Sequence, residues 1–81
     1  MDVEIGTMMF VQVERVRSTD FVLGSVIRVD SDSVTVEGTV VTRIERETGL
    51  STEPDATATV TIPIELVGTD EAEILEDGGI V

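Results

Sequence analysis

Apolar and polar residues alternate along much of the chain with the two-residue period of a β-strand. Two such runs, Asp20 to Val29 and Val34 to Glu45, flank the polar tetrad Asp30-Ser31-Asp32-Ser33, a composition typical of a β-hairpin. We place the turn at Ser31 and Asp32. The apolar face then pairs Val29 with Val34, Ile27 with Val36, Ser25 with Gly38, and Leu23 with Val40. The mostly polar face pairs Arg28 with Thr35, Val26 with Glu37, and Asp20 with Arg43. A shift of one residue would destroy both patterns.

The segment from Val3 to Val16 is predicted to be a strand with apolar residues on both faces. Strands of that kind are central in a sheet, or they contact a partner chain. A three-residue connection, Ser18-Thr19-Asp20, would place this strand antiparallel to the next one. The predicted pairs are Val13 with Ser25, Val11 with Ile27, and Met9 with Val29 on one face, and Phe10 with Arg28 on the other.

The third and fourth strands are predicted from the same alternation. The third has a bulge or bend at Gly38 and Thr39, and a loop follows it over residues 45–55. The run from Thr57 to Val67 alternates almost perfectly. Because Pro63 cannot donate to a β-ladder, this fourth strand is expected at a sheet edge or at the end of a pairing.

The last stretch, Thr69 to Val81, is compatible with two structures. Thr69 can cap a short helix that ends at Leu75. Alternatively, Ala72 to Leu75 forms a strand that turns back at Asp77-Gly78, a favoured two-residue turn. The strand is favoured slightly, because acidic residues would lie at the carboxyl end of the helix, where its dipole repels them.

Residues 1–81 are therefore predicted to form one all-β domain. We expect a small antiparallel meander that closes into a barrel or a two-layer sandwich, with the short C-terminal helix as the open alternative. In a domain of 81 residues, apolar burial and the entropy lost on folding nearly cancel. The chain has no cysteine for disulfides, so self-association is the remaining source of stability.

The net charge of the chain limits its possible binding partners. The chain has 17 acidic residues, five arginines and no lysine, a formal net charge of −12. This composition resembles that of proteins from salt-accumulating halophiles. It disfavours binding to nucleic acid and to anionic membranes, because both are themselves dense in negative charge. No basic segment opens the chain and no apolar run reaches the ~20 residues of a membrane span, so a cytoplasmic protein is expected.

The side chains that usually carry catalysis are missing. Without His, Cys, Lys, Tyr or Trp, the chain lacks the common nucleophile–base pairs and the ligands of soft metals. We expect no catalytic residue, no cofactor and no metal site. Asp30 and Asp32 have the spacing of the first two ligands of a calcium loop, but the glycine and the closing glutamate of that loop are absent. A solvated hairpin tip is the simpler interpretation.

All five arginines lie in the first 46 residues, whereas residues 47–81 hold nine acids and no base. Three interpretations remain open. The arginines can pair within the chain, as Asp20 and Arg43 would; they can meet the acidic tail of a second copy; or they can recognise phosphate.

The predicted function is self-association of a non-enzymatic protein-interaction module, as a homodimer. Monomers seldom leave an apolar patch open on the side opposite the core, so either a second layer of the same chain, the Thr57 to Val67 strand, or another subunit would cover it. The predicted contact residues are Met8, Phe10, Val26 and Val41, with Arg15, Arg17, Arg28 and Arg43 fixing the register. The alternative is a nucleic-acid-associated regulator that uses the same arginines.

A local resemblance bears on that alternative. The segments Val60-Thr61-Ile62-Pro63 and Glu73-Ile74-Leu75-Glu76-Asp77-Gly78-Gly79 resemble the second half of an AbrB-type swapped-hairpin transition-state regulator. That family consists of DNA-binding dimers whose basic residues grip the duplex. Here Ile64 stands where the family usually carries Lys or Arg, and the intervening helix is too short. The resemblance therefore implies a dimer without supplying the residues that would touch DNA.

Overall fold

The computed structural model of this protein describes residues 3–75, and it is all-β. One antiparallel sheet contains six strands: β1 (Met8–Glu14), β2 (Ser18–Val29), β3 (Ser33–Glu45), β4 (Ser51–Thr52), β5 (Ala56–Pro63) and β6 (Ala72–Ile74). A 3-10 turn, Ile64–Leu66, connects β5 to β6. The all-β prediction is confirmed. The short helix from Thr69 to Leu75 is not formed, because β6 occupies that segment. The predicted turn at Asp77-Gly78 lies outside the described residues.

The strands follow one another as a meander whose last strand returns to the first. The order across the sheet is β4-β3-β2-β1-β6, and β5 pairs with β3 beside β4. Within residues 3–75, β5 has β3 as its only partner, so it is an edge strand, as Pro63 predicted. The sheet is not closed, and closure into a barrel is therefore not supported.

The β2–β3 hairpin combines two registers. At the tip, Val29 faces Val34, and at the far end, Asp20 faces Arg43, both as predicted. Between them the pairing is displaced by one residue. The displaced pairs are Val26 with Val36, Ser25 with Glu37, Gly24 with Gly38, Leu23 with Thr39, and Val22 with Val40. Two β-bulges cause this: Ile27 is an extra residue in β2, and Val41 is an extra residue in β3. Each bulge cancels the shift of the other.

The bulge at Ile27 exchanges the two faces of β2, whereas Val36 and Val40 of β3 keep the core side predicted for them. Val22 and Val26 lie in the core, where both are almost completely buried. Leu23 and Ile27, which were expected in the core, are 37% and 43% exposed. The predicted apolar pairs of Ile27 with Val36 and of Leu23 with Val40 are therefore wrong, because a bulge moves every following side chain to the other face.

The β1–β2 connection also differs from the prediction. It consists of residues 15–17, and the polar residues Ser18, Thr19 and Asp20 belong to β2. As a result Val13 faces Asp20 rather than Ser25, and Phe10 faces Leu23 rather than Arg28. Turn-forming residue types suggested a loop at 18–20. In the structure these three residues lie in β2, where their polar groups are hydrogen-bonded, and the loop comprises residues 15–17 instead.

The bend predicted at Gly38 is instead a close approach of two strands. Gly24 and Gly38 face each other, and a Cβ on either residue would overlap the backbone of the opposite strand. At Gly24 the obstructing atom is the carbonyl oxygen of Glu37, and at Gly38 it is that of Leu23. Backbone atoms cannot rotate away as a side chain can. Glycine is therefore required at both positions.

The core lies on the inner face of the sheet and is covered by the crossing from β5 to β6. Its main packed cluster comprises Met9, Val11, Val26, Val34, Val36, Ile62, Val67 and Ala72, and Val22 and Val40 are buried as well. The amide of Ile64 donates to the carbonyl of Asp32 at 3.0 Å, which holds the 3-10 turn against the hairpin tip. Val67 then packs on the core, and Ala72 pairs with Val11. One short crossing thus links the two edges of the sheet.

Replacement of Gly38 by alanine should destabilise the protein, because the new methyl group would meet backbone. We expect a loss of about 1–3 kcal/mol in the free energy of unfolding, measured by circular dichroism in urea at fixed KCl. Ser25→Ala, on the outer face of β2, is the control and should change it little. A loss below about 0.5 kcal/mol for Gly38→Ala would contradict the close approach.

Candidate functional site

A buried carboxylate organises one end of the sheet. Asp20 is completely buried, and both of its oxygens accept hydrogen bonds. Arg43 donates from Nε to Oδ1 at 2.8 Å and from Nη2 to Oδ2 at 3.0 Å. Arg15 donates from Nε to Oδ2 at 2.7 Å, and the Ser18 hydroxyl donates to Oδ1 at 3.2 Å. These donors, with Arg43 the strongest, lower the pKa of Asp20 from 3.8 to about 2 against the opposing effect of burial.

The geometry of this cluster depends on the bulge at Val41. Had the register of the middle of the hairpin continued, Asp20 would face Thr42. The extra residue in β3 brings Arg43 opposite Asp20 on the inner face instead. Arg15 arrives from the β1–β2 turn, where its amide donates to the carbonyl of Ser18 at 2.8 Å. The bulge therefore positions a cation where the buried carboxylate needs one. Asp20 in turn raises the pKa of Arg43.

A groove of about 810 Å³ opens above this cluster. Its lining residues are Arg15, Val16, Arg17, Ser18, Arg43, Glu45, Arg46 and Glu47. The amide of Arg46 donates to the carbonyl of Arg17 at 3.0 Å, which joins the two turns that form its walls. The side chain of Arg46 pairs with Glu14. Within residues 3–75 the Arg17 side chain makes no hydrogen bond or ion pair.

The arginines singled out from the sequence are thus only partly brought together. Arg15, Arg17 and Arg43 share the groove, whereas Arg28 lies near the hairpin tip and pairs with Asp30 at 3.0 Å. Arg46 was not among the predicted site residues, although it lines the groove. A signal for Arg46 was present in the sequence: if the predicted hairpin register is continued beyond Asp20 and Arg43, Arg46 falls opposite Arg17.

The outer face of β1 and β2 forms a second candidate surface, which we call the outer apolar face. Its members are Met8, Phe10, Phe21, Leu23 and Leu75. The rings of Phe10 and Phe21 stack, with centroids 5.7 Å apart and an interplanar angle of 15°. The amide of Leu75 donates to the carbonyl of Met8 at 2.9 Å, which extends the face beyond β6. Phe21 is half-buried.

The predicted contact residues divide between this face and the core. Met8 and Phe10 lie on the outer face, as predicted. Val26 is 1% exposed and packs in the core, so its predicted place beside them is wrong. The cause is the bulge at Ile27, which turns Val26 inward. Val41 is the extra residue of the second bulge and is half-buried.

The described chain also bears on metal ligands and on membranes. Residues 3–75 contain no group of three or more His, Cys, Asp or Glu side chains that could hold a metal ion. Asp30 in the hairpin tip is engaged by Arg28. None of the helices in this part of the chain is long and apolar enough to cross a membrane.

Comparisons of the chain with protein-family models, with curated proteins and with solved structures found no match. Any functional conclusion therefore rests on the two surfaces themselves.

Substitution of Asp20 by asparagine should produce a pH-dependent loss of stability. Because the pKa of Asp20 is lower in the folded state, its contribution is present above pH 3.8 and is lost as the pH falls to about 2. The shift corresponds to roughly 2 kcal/mol at about 1.4 kcal/mol per unit. The free energy of unfolding of the wild type should exceed that of Asp20→Asn at neutral pH, and the gap should narrow by about this amount near pH 2.

Asp30→Asn is the matched control, because it removes the exposed partner of Arg28 and should alter stability far less. A difference between wild type and Asp20→Asn that stays constant with pH would show that the carboxylate is not held ionised by its arginines.

Proposed function

We propose that this protein is a non-enzymatic interaction module that self-associates through its outer apolar face. The observation that carries the proposal is the distribution of charge. The outer positions of β1 and β2 between Met8 and Gln12 and between Phe21 and Ser25 hold no ionisable residue, in a chain of net charge −12. Two copies can meet there without bringing carboxylates together. The acidic residues Glu37 and Glu73 border the face.

The burial pattern supports the binding of a second copy to this face. An antiparallel sheet normally presents polar residues to water on its solvent side. Here Met8, Leu23 and Leu75 are 39%, 37% and 36% exposed around the stacked phenylalanines. No segment within residues 3–75 covers them, because the crossing from β5 to β6 packs on the inner face. A second copy placed on a two-fold axis would match this face with itself.

The size of the face sets the expected strength. β1 has seven residues and is about 23 Å long, and β1 and β2 together span about 10 Å at about 4.8 Å spacing, which gives a flat area of about 220 Å² per copy. Stable interfaces usually bury about 800 Å² per partner. The dimer is therefore a weak one, which forms at high protein concentration or high salt.

Salt favours this association in two ways. It screens the repulsion between two acidic copies, since the Debye length falls to about 3 Å near 1 M salt. It also strengthens apolar burial when the ions are excluded from the surface. We place the protein in the cytoplasm of a salt-accumulating cell, which rests on its acidic, lysine-free composition. In such a dimer two sheets face each other as a sandwich, with each copy supplying one layer.

The alternative role in nucleic-acid binding gains less support from the geometry. Arg28 lies apart from the other arginines, and Glu14, Glu45 and Glu47 surround the groove. Phosphate contacts along a nucleic acid need a continuous basic stripe. Catalysis is not supported by the site chemistry either, because Asp20, the one fully buried carboxylate of residues 3–75, is held by two arginines.

The test is sedimentation equilibrium in a KCl series, with a charge placed on the outer face. Leu23→Glu should weaken the dimer at least roughly tenfold, because two carboxylates would be buried against each other. The wild-type dimer should tighten between about 0.2 and 3 M KCl.

Leu50→Glu is the matched control, because Leu50 is 63% exposed and lies in the loop after β3, away from the outer face. Equal weakening by both substitutions would place the contact elsewhere. A wild type that is monomeric at millimolar concentration throughout the KCl series would refute self-association.

A further inference from the structure

We propose that the arginine-lined groove is a binding site for the phosphate group of a small phosphorylated molecule. This site is separate from the outer apolar face, and it does not depend on self-association. Four of the five arginines in the chain line one groove of about 810 Å³, a volume within the usual range for small-molecule sites. Such a concentration of guanidinium groups is unexpected in a protein with a net charge of −12.

The groove offers unused hydrogen-bond donors. A guanidinium carries five N–H groups in a planar fork that matches a phosphate or carboxylate. Arg15 uses its Nε on Asp20, and Arg43 uses Nε and Nη2. Arg46 uses Nη2 on Glu14. Arg17 engages none of its donors within residues 3–75. Several donors therefore remain for a ligand after the internal pairs are made.

The cluster around Asp20 gives these donors a fixed position. Because Asp20 is buried and accepts from both Arg15 and Arg43, it anchors two guanidinium groups at the floor of the groove. Their side chains are still 49% and 39% exposed, so their outward edges are accessible. A preorganised donor array loses little side-chain entropy when it binds an anion. The buried ion cluster thus orients donors for an anion in addition to stabilising the fold.

The charge balance favours a compact anion over a polymer. The carboxylates of Asp20, Glu14, Glu45 and Glu47 offset the four guanidinium groups, so the groove is close to neutral while the rest of the protein carries the negative charge. Directed hydrogen bonds, rather than net charge, would hold the ligand. A nucleic acid would extend past the groove onto acidic surface. The lining also contains no aromatic residue on which a base could stack.

Titration calorimetry with inorganic phosphate and with glycerol 3-phosphate tests the proposal, using the full chain at low and high KCl. Both anions should bind, and Arg17→Ala should weaken binding roughly tenfold, because it removes charge-assisted hydrogen bonds. Arg28→Ala is the matched control: it removes the same charge outside the groove and should weaken binding less than roughly twofold.

The Arg17 side chain has no partner within the described residues, so its removal should leave the fold intact, which circular dichroism checks. A second measurement needs no variant: amide chemical shifts of the wild type on addition of phosphate should change at residues 15–18 and 43–47.

Equal losses in the two variants, or shifts spread over the surface, would overturn the site as nonspecific attraction. Absence of binding by both anions would overturn it outright. A single-stranded oligonucleotide that binds far more tightly than glycerol 3-phosphate, with a steep salt dependence, would overturn the small-molecule assignment in favour of nucleic acid.

Discussion

The buried ion cluster of Asp20 with Arg43 and Arg15 is the interaction on which the rest of this small protein depends. A carboxylate without solvent contact is tolerated only when its oxygens are fully hydrogen-bonded and its charge is balanced. Both conditions are met here by donors from the β1–β2 turn and from the end of β3. The same contacts fix the turn, the far end of the long hairpin and the floor of the groove. Stability and any anion binding at this end of the sheet therefore share one set of side chains.

The cluster explains why the long hairpin contains two bulges. A single bulge at Ile27 would leave Asp20 opposite Thr42, and the buried carboxylate would lose Arg43 and keep Arg15 alone of its two cations. The second bulge, at Val41, restores the register and delivers Arg43. In between, the displaced register turns Val22 and Val26 inward and allows Gly24 and Gly38 to meet. Outside the bulges, the sheet keeps Phe10 and Phe21 on its outer side. The sheet thus has an inner face covered by the crossing from β5 to β6, an apolar outer face, and a polar end at the Asp20 cluster.

Alternation and turn composition were sufficient to predict the four longer strands in outline, the hairpin tip, the edge position of β5 and the pair of Asp20 with Arg43. They missed β4, which lies within the predicted loop over residues 45–55, and they extended the fourth predicted strand to Val67, although β5 ends at Pro63 and a 3-10 turn follows. They placed a bulge or bend at Gly38 and Thr39, whereas the bulge in β3 is at Val41, and they missed the bulge at Ile27. A bulge has no signature of residue type in a run as rich in valine as β2 and β3. Each face of that run holds apolar residues, so both registers look equally good locally. The burial of Asp20 was missed for a related reason. Aspartate next to Ser-Thr is typical of an exposed turn or a polar sheet face, and its burial depends on the combined contacts of Arg15 and Arg43, of which the sequence indicated the second alone.

The core and the outer apolar face both depend on the paired bulges, which cross-strand backbone nuclear Overhauser effects test most directly. The structure predicts contacts between Val22 and Val40 and between Asp20 and Arg43 in the same molecule, which an unbroken ladder cannot give. Contacts that join Leu23 to Val40 and Ile27 to Val36 would instead show a regular hairpin. That result would return Val26 to the outer surface and contradict both the core and the outer apolar face described here.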